Sequence, residues 1–347
     1  MLQHKHLIDI DEYSADEIVE ILDTARSFKE VNDRAIKKLP TLRGRTIINL
    51  FLEPSTRTRT SFEIAGKRLS GDVINFSASS SSTTKGETLA DTAETLDAMN
   101  CDLIVVRSKQ EGAPRILTQH MDAHVVNGGD GKHQHPTQAL LDAFTIRETL
   151  GHIDGLKVGI VGDIAHSRVV GSLVPLLKIM GAEPIVIGPP TLMPARPDIL
   201  GARCSNTLDD VLPELDVVYM LRIQKERLES AALPSLREYA MLYGINLARM
   251  DAMKNEAIIM HPGPINRGVE LSADAADSDR AVILDQVNSG VAVRMAVMYL
   301  LLGGEGNGAD PVRLRGSFRP HLPWTRAVLA ARNHRLGRSV SSVSRSR

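Results

Sequence analysis

Hydroxyl and guanidinium side chains are concentrated in the segment Ser55-Thr56-Arg57-Thr58-Arg59. It follows an apolar, β-like run at 46–52 and precedes a stretch that favours a helix. The free backbone N–H groups and the dipole at a helix N-terminus attract negative charge, and arginine adds paired donors that match phosphate or carboxylate oxygens. The segment therefore indicates an anion site, with an ordinary helix start capped by hydroxyl groups as the alternative.

Three further arginines, Arg107, Arg168 and Arg222, each lie at the end of a β-like run or in the turn that follows it. One such arginine by itself would more often pair with a surface carboxylate. Because the carboxyl ends of parallel strands meet at one edge of a sheet, the three together indicate a pocket for a ligand with several negative charges.

His135 and Gln138 belong to the segment His-Pro-Thr-Gln, which begins a helix with its proline in the tolerated first turn. An imidazole donor and a carboxamide then lie at a strand-to-helix turn, where α/β sheets bind small substrates. The alternative is a metal site formed with His133 and Asp130. The sequence offers no third firm ligand for it, so we expect no metal.

Two other segments have the composition of functional loops. The Ser/Thr-rich stretch 77–84 ends at Lys85, directly before a helix; it is either a flexible linker or a mobile loop that closes a charged group over a site. His261-Pro262-Gly263-Pro264 follows another β-like run, and its prolines and glycine fix a backbone shape that presents carbonyl acceptors.

Nucleotide cofactors are disfavoured. The strand-turn Val158-Gly159-Ile160-Val161-Gly162-Asp163 lacks the G-x-G-x-x-G spacing that lets a backbone approach a pyrophosphate. The chain also lacks G-x-x-x-x-G-K-[ST], the phosphate-binding loop of many kinases. We therefore expect no cofactor.

Composition bounds the class of protein. The 347 residues are 43% hydrophobic and 24% charged, with a net charge of −1, which is typical of an ordinary globular protein of about two domains. The two cysteines, Cys101 and Cys204, are far apart, which disfavours a disulfide framework. The N-terminus lacks a signal-peptide core and no apolar run approaches the roughly 18 residues of a membrane span, so we expect a cytoplasmic protein.

Strand-like and helical runs alternate along the chain, which predicts an α/β fold of parallel sheets covered by helices. Ser14-x-x-Glu17 is a capping box that starts the first helix. The β-like runs are 46–52, 73–76, 103–106, 124–126, 158–161, 185–187, 217–221 and 258–260. Later helices are expected at 87–99, 136–150, 167–180, near 207–212 and about 286–302.

We predict two domains, each a parallel sheet flanked by helices, joined by interdomain helices. They comprise residues 1–150 and 151–285, with the buried helix at 286–303 packing back on the first domain. Residues 304–347 contain nine arginines, Glu305 and Asp310 as their only acidic residues, and no lysine. We predict a disordered tail; a basic arm that binds nucleic acid is the alternative.

Together these motifs resemble the catalytic chains of the aspartate carbamoyltransferase family from about residue 5 to about 303. Ser55-Thr56-Arg57-Thr58 resembles the family's carbamoyl-phosphate motif, and His135-Pro136-Thr137-Gln138 its H-P-x-Q. Tyr219-Met220-x-Arg222-x-Gln224 resembles its aspartate-side motif, and 261–264 fits its final loop. Four motifs in order, with a Lys-Gly-Glu loop between them, are far more specific than one.

The resemblance implies transfer of a carbamoyl group from carbamoyl phosphate to the amine of L-aspartate, a step of pyrimidine biosynthesis. It also implies the roles of site residues. The phosphate is expected to be bound by Ser55, Thr56, Arg57 and Thr58, and the carbamoyl oxygen to be polarised by Thr58, Arg107 and His135. The carbamoyl NH2 is expected to be oriented by Gln138 and the Gly263–Pro264 backbone. The two carboxylates of aspartate are expected to be bound by Arg168, Arg222, Gln224 and Lys85.

The resemblance further implies a homotrimer with shared active sites, because in the family Ser81 and Lys85 belong to a loop that reaches the neighbouring subunit. Whether regulatory or dihydroorotase-like chains join this trimer is left open. Some relatives carry a second lysine where this chain has Thr84, and the resemblance does not extend to the 304–347 tail. With no obvious general base, the leaving phosphate is the candidate proton acceptor.

Ornithine carbamoyltransferase is the nearest rival, since it shares the S-T-R-T and H-P-x-Q patterns. Its final loop typically carries His-Cys-Leu-Pro, whereas this chain has His-Pro-Gly-Pro together with arginines. A non-catalytic relative is disfavoured because Arg57, His135 and Lys85 are all present. An RNA-binding role would depend on the tail alone.

Overall fold

The computed structural model describes residues 2–32, 34–77, 87–223 and 235–303. In this part the chain folds into two domains, each a parallel sheet flanked by helices. Lys85, Gln224 and the tail at 304–347 lie outside the described residues. None of the helices in the described ranges is long and apolar enough to cross a membrane.

The first sheet has the order β2-β1-β3-β4 and is parallel throughout. Its strands are β1 (Thr46–Phe51), β2 (Asp72–Ser77), β3 (Leu103–Ser108) and β4 (His124–Asp130). Strand β3 is apolar on both faces: Leu103 and Val105 belong to one core cluster, and Ile104 and Val106 to another. Burial on both sides explains why the run is continuous rather than alternating.

The second sheet has the order β7-β6-β5-β8-β9 and is also parallel. Its strands are β5 (Lys157–Val161), β6 (Glu183–Ile187), β7 (Arg203–Ser205), β8 (Val217–Met220) and β9 (Ile258–Met260). A Cβ atom on Gly159 would lie 2.3 Å from the Leu215 side chain. The glycine of this strand is therefore explained by close packing.

Ten helices are described. They are α1 (Ala15–Asn32), α2 (Thr56–Arg68), α3 (Leu89–Asp97), α4 (Ala113–His120), α5 (Pro136–Leu150), α6 (Arg168–Ile179), α7 (Leu236–Tyr243), α8 (Leu247–Ala252), α9 (Ala273–Ala276) and α10 (Ile283–Leu302). Helix α10 contacts α1, α2 and α5, and also β9 of the second sheet. One continuous core, which includes Leu103, Phe144, Leu173 and Met298, therefore joins the two sheets through α5, α6 and α10.

Several predicted boundaries agree with the structure. Helix α5 runs from Pro136 to Leu150 and ends at Gly151, whose φ is 86°. The capping box of α1 is formed, because the Glu17 N–H donates to Ser14 Oγ at 3.3 Å and the Ser14 N–H donates to Glu17 Oε2 at 3.0 Å. The final helix begins at Ile283, three residues earlier than expected.

The helix predicted near 207–212 is wrong. The chain there forms turns followed by a short 3-10 helix at Leu212–Glu214. Leu212 N–H does donate to Leu208 O at 2.9 Å, but Pro213 has no N–H to continue the ladder. Four helices, α4 and α7 to α9, and the short strand β7 were not predicted, since none has a long periodic pattern.

Candidate active site

The Ser55–Arg59 segment lies where predicted, between the end of β1 and the first turn of α2. Ser55 is the N-cap residue, in an extended conformation with φ of −157°. Its hydroxyl makes no capping hydrogen bond within the described residues. Thr56 and Thr58 lie in the first turn. The helix N-terminus therefore keeps backbone N–H groups that a ligand anion can use.

Arg57 extends from this turn to the loop that follows β9. The carbon of its guanidinium group lies 3.2 Å from where a Cβ atom would stand on Gly263. Desolvation, followed by the charge of Arg222, lowers the pKa of Arg57. The charges of two cations from different domains therefore act on each other, and an anionic ligand between them would be stabilised.

Glu53 links two of the predicted arginines. Its Oε1 lies 2.7 Å from Arg107 Nε and accepts a hydrogen bond of 2.7 Å from Arg168 Nη1. Arg107 also donates from Nη1 to Gly128 O at 3.0 Å. Burial, and then the Arg168 charge, lower the pKa of Arg107 to about 10, while Glu53 acts in the opposite direction. The carboxyl ends of both sheets thus converge on one carboxylate.

Glu53 was missed by sequence reasoning, although the signal was present. It lies two residues after the end of β1, Arg107 is the penultimate residue of β3, and these strands are neighbours in the sheet. A carboxylate at that edge was available to orient the arginines that were predicted there.

His135 is the N-cap residue of α5 and is 4% exposed. Its backbone is held by Ser172 of α6, whose Oγ accepts from the His135 N–H at 3.3 Å. Neither ring nitrogen has a hydrogen-bond partner among the described residues. Burial, followed by Arg107 and Arg294, lowers the pKa of His135 well below its usual value. The imidazole is therefore neutral and offers one N–H donor to a ligand.

Gln138 lies one turn into α5, as its spacing from His135 predicts. Its Nε2 donates to Asp142 Oδ1 at 3.0 Å. The carbonyl oxygen of the amide is then the end left to accept a hydrogen bond.

The loop from His261 to Pro264 follows β9. His261 Nδ1 accepts a hydrogen bond of 2.8 Å from the Gly263 N–H, so the ring proton is on Nε2. Burial, and then Arg57 and Arg222, lower the pKa of His261 to about 3. The imidazole of His261 is therefore neutral, and its hydrogen bond fixes the backbone of Gly263 next to Arg57.

Arg222 lies just after β8, and the residue that follows it is anchored by a buried carboxylate. Glu270, which is 0% exposed, accepts 2.7 Å hydrogen bonds from the Ile223 N–H and from the Asn266 N–H. Asn266 Nδ2 donates to Ile223 O at 2.9 Å. Sequence reasoning missed Glu270, whose only signal was a lone acidic residue in a Gly-rich loop. Gln224, predicted to assist Arg222, lies outside the described residues.

The alternative metal site is not supported by the geometry. His133 is on the surface, where Nδ1 lies 3.2 Å from Asp130 Oδ2 and 3.6 Å from Asp9 Oδ1. In the described part of the chain, no group of three or more His, Cys, Asp or Glu residues is placed to hold a metal ion.

Comparison with known proteins identifies this arrangement. The carbamoyl-phosphate-binding domain of the aspartate/ornithine carbamoyltransferases matches residues 5–148, and their Asp/Orn-binding domain matches residues 154–301. The aspartate carbamoyltransferase catalytic subunit of Syntrophotalea carbinolica is 57% identical over 302 residues, covering 87% of this chain and 96% of that protein. That of Thermobifida fusca is 55% identical and covers 88% and 99%.

Solved structures agree. Aspartate transcarbamoylase from Trypanosoma cruzi, in complex with carbamoyl phosphate and aspartate, superposes with a TM-score of 0.77 at 35% identity and covers 85% of this chain and 95% of that one. Ornithine carbamoyltransferase from Pyrococcus furiosus gives a TM-score of 0.77 at 30% identity, with 87% and 98% coverage. The chain belongs to the aspartate/ornithine carbamoyltransferase family.

Proposed function

We propose that this chain is an aspartate carbamoyltransferase. It transfers the carbamoyl group of carbamoyl phosphate to the amine of L-aspartate, giving N-carbamoyl-L-aspartate and phosphate for pyrimidine synthesis. The observation that carries the proposal is the convergence of arginines from both sheets beside a buried, neutral His135 and an open helix N-terminus. Relatives that are 52–57% identical bear this name.

The donor half of the site is formed by α2. In this proposal Ser55, Thr56 and Thr58 bind phosphate oxygens with their hydroxyl and backbone N–H groups, and Arg57 binds them with its guanidinium. Phosphate is the leaving group, so these interactions stabilise the charge that accumulates as the C–O bond to phosphate breaks.

The reacting carbonyl lies between the donor and acceptor halves. Attack by the aspartate amine forms the C–N bond and places negative charge on the carbamoyl oxygen. Arg107, Thr58 and the single N–H of neutral His135 stabilise this oxyanion. Gln138 and the Gly263–Pro264 backbone orient the NH2 group. As the C–O bond breaks, the departing phosphate takes the amine proton.

The acceptor half determines which amino acid reacts. Aspartate has two carboxylates, and we assign them to Arg168 and Arg222, with Gln224 and Lys85 assisting. Ornithine has an ammonium group in place of the second carboxylate, and this charge would be repelled by the arginines. The positive field around Arg57 and Arg222 favours the aspartate activity over the ornithine activity of the same family.

We also propose a cytoplasmic homotrimer with shared sites, with or without regulatory or dihydroorotase-like chains. The assignment of residues 1–150 and the 286–303 helix to carbamoyl phosphate, and of 151–285 to aspartate, belongs to the same proposal. Relatives that are 57% and 55% identical are named catalytic subunits, which supports assembly into an oligomer.

Two experiments test these proposals. Purified protein incubated with carbamoyl phosphate and L-aspartate should yield N-carbamoyl-L-aspartate, detected by mass spectrometry; absence of that product would refute the activity. For shared sites, chains with Lys85→Ala mixed with chains with Arg57→Ala should regain activity by pairing intact halves. Mixed trimers that stay inactive would refute the sharing.

A further inference from the structure

Asp142 is a fully buried carboxylate on which three hydrogen-bond donors from three elements converge. Gln138 Nε2 of α5 and Gln286 Nε2 of α10 donate to its Oδ1 at 3.0 and 2.8 Å. Tyr219 OH of β8 donates to its Oδ2 at 2.8 Å. Asp142 is 0% exposed, and Tyr219 and Gln286 are almost as deeply buried. Burial raises the pKa of Asp142 to about 7, so above this pH the carboxylate is ionised. An ionised carboxylate only accepts hydrogen bonds, and it therefore fixes the direction of all three.

This direction determines which end of Gln138 faces away from Asp142. A side-chain amide has one accepting and one donating end. If the Gln138 amide were flipped, its oxygen would face the Asp142 carboxylate without a proton between them, and a buried contact of this kind is costly. The Gln138 nitrogen therefore donates to Asp142, and the amide oxygen of Gln138 stays available to accept a hydrogen bond from a ligand.

Asp142 orients the amide of Gln286 in the same way, and Gln286 in turn contacts the loop after β9. Because Gln286 gives its nitrogen to Asp142, its Oε1 accepts, and it receives the His261 backbone N–H at 2.9 Å. His261 in turn holds the Gly263 N–H through Nδ1 at 2.8 Å. One carboxylate therefore orients the Gln138 amide and, through Gln286, the backbone that presents Gly263 and Pro264.

We propose that Asp142 is a positioning residue that sets up the acceptors for the carbamoyl NH2, so that the site prefers a carbamoyl donor to an acyl phosphate without an amide N–H. The inference rests on the proposed function, since it takes Gln138 and the 261–264 loop as the groups that contact the donor. Asp142 itself touches no substrate. Its effect should therefore appear as donor selectivity.

The test compares binding of carbamoyl phosphate with binding of acetyl phosphate, which has a methyl group in place of NH2. The measured quantity is the ratio Kd(acetyl phosphate)/Kd(carbamoyl phosphate), obtained by calorimetry without aspartate at pH 8.5. Asp142→Leu keeps a similar volume and removes both acceptor oxygens. We expect this ratio to fall about tenfold or more, the loss of at least one directed hydrogen bond.

Two matched variants separate positioning from packing. Asp142→Asn retains the one oxygen to which both glutamines donate, and Tyr219→Phe leaves both of these hydrogen bonds in place. Both variants should keep the wild-type ratio within about threefold. A change of this size is smaller than the typical free-energy contribution of one neutral hydrogen bond. A purely structural role would weaken both donors together in Asp142→Leu and leave the ratio unchanged, which would overturn the inference.

If Asp142→Leu does not fold, Gln286→Leu tests the same idea with the carboxylate in place. It releases the His261 N–H and should lower the ratio, whereas an unchanged ratio would overturn the inference. Failure of the proposed function is distinguishable, because it is measured in the carbamoylation assay of the wild-type protein, where no N-carbamoyl-L-aspartate would form, and not in donor binding. Wild-type protein that binds both donors equally would overturn only the inference.

Discussion

Arg168, the first residue of α6, donates from Nη1 to Oε1 of Glu53 at 2.7 Å, and Glu53 lies two residues after β1. The same oxygen lies 2.7 Å from Arg107 Nε. A residue of the second domain and a residue of the first thus share one carboxylate. Both guanidinium groups and Glu53 are largely buried, so the pair is poorly screened by solvent. Glu53 therefore controls the orientation of Arg107 and Arg168 together.

Glu53→Gln should impair acceptor binding. The substitution keeps the shape and removes the charge, leaving two partly buried guanidinium groups without their anion. We expect KM for aspartate to rise at least about tenfold, the value of one charge-assisted hydrogen bond, as measured by steady-state kinetics. Asp277→Asn, which breaks an exposed pair with Arg267, is the control and should leave KM unchanged. An unaltered aspartate KM in Glu53→Gln would show that the bridge has no role in the site.

His135→Ala should reduce kcat far more than it weakens donor binding. Its ring has no hydrogen-bond partner among the described residues, and burial beside Arg107 keeps it neutral. Removing one oxyanion donor typically costs about 100- to 1,000-fold in kcat, while the dissociation constant of carbamoyl phosphate should change only a few-fold. His133→Ala, two residues away on the surface, is the matched control. A variant with normal kcat would refute the assigned role.

The buried imidazole should also make the fold sensitive to acid. The pKa of His135 is lowered in the folded state, so below its usual value of 6.5 the unfolded chain binds a proton that the folded chain does not. The contribution of His135 to stability is thus complete above about pH 6.5. It falls as the pH drops, by about 1.4 kcal/mol per pH unit for one such group. His261 acts in the same direction, and Asp142, whose pKa is raised to about 7, acts against them.

Urea unfolding at pH 7.5 and 5.5 isolates the contribution of His135. The loss of unfolding free energy between these pH values should be about 1.4 kcal/mol smaller in His135→Asn than in the wild-type protein, because the variant lacks one proton-binding difference. Both proteins are compared at the same concentration. Equal losses would mean that the imidazole titrates normally in the folded state.

The arginines of the site could be predicted from the sequence because of where they lie relative to the strands. Arg107 lies at the end of β3, and Arg168 and Arg222 lie in the segments after β5 and β8. Parallel pairing places the ends of neighbouring strands, and the residues that follow them, at one edge of a sheet. Periodicity likewise located α5 and most strands to within a few residues, because these segments are long or apolar on both faces.

The parts that sequence did not reveal depend on tertiary contacts. Glu53, Asp142 and Glu270 are single acidic residues without a motif, and their importance comes from donors that lie more than 40 residues away: Arg168, Tyr219 and Ile223. The helix predicted near 207–212 failed because Pro213 interrupts a segment that has only one turn of helical hydrogen bonds.

The choice of acceptor is tested by a pair of carbamoylation assays run side by side, with carbamoyl phosphate and either L-aspartate or L-ornithine. The arginines that converge on the acceptor pocket predict a kcat/KM for aspartate that exceeds that for ornithine by at least about 1,000-fold, since ornithine would bring an unpaired ammonium next to the half-buried Arg168 and Arg222. N-carbamoyl-L-aspartate should be the detected product. Comparable rates, or a preference for ornithine, would contradict the assignment of Arg168 and Arg222 to the two carboxylates of aspartate.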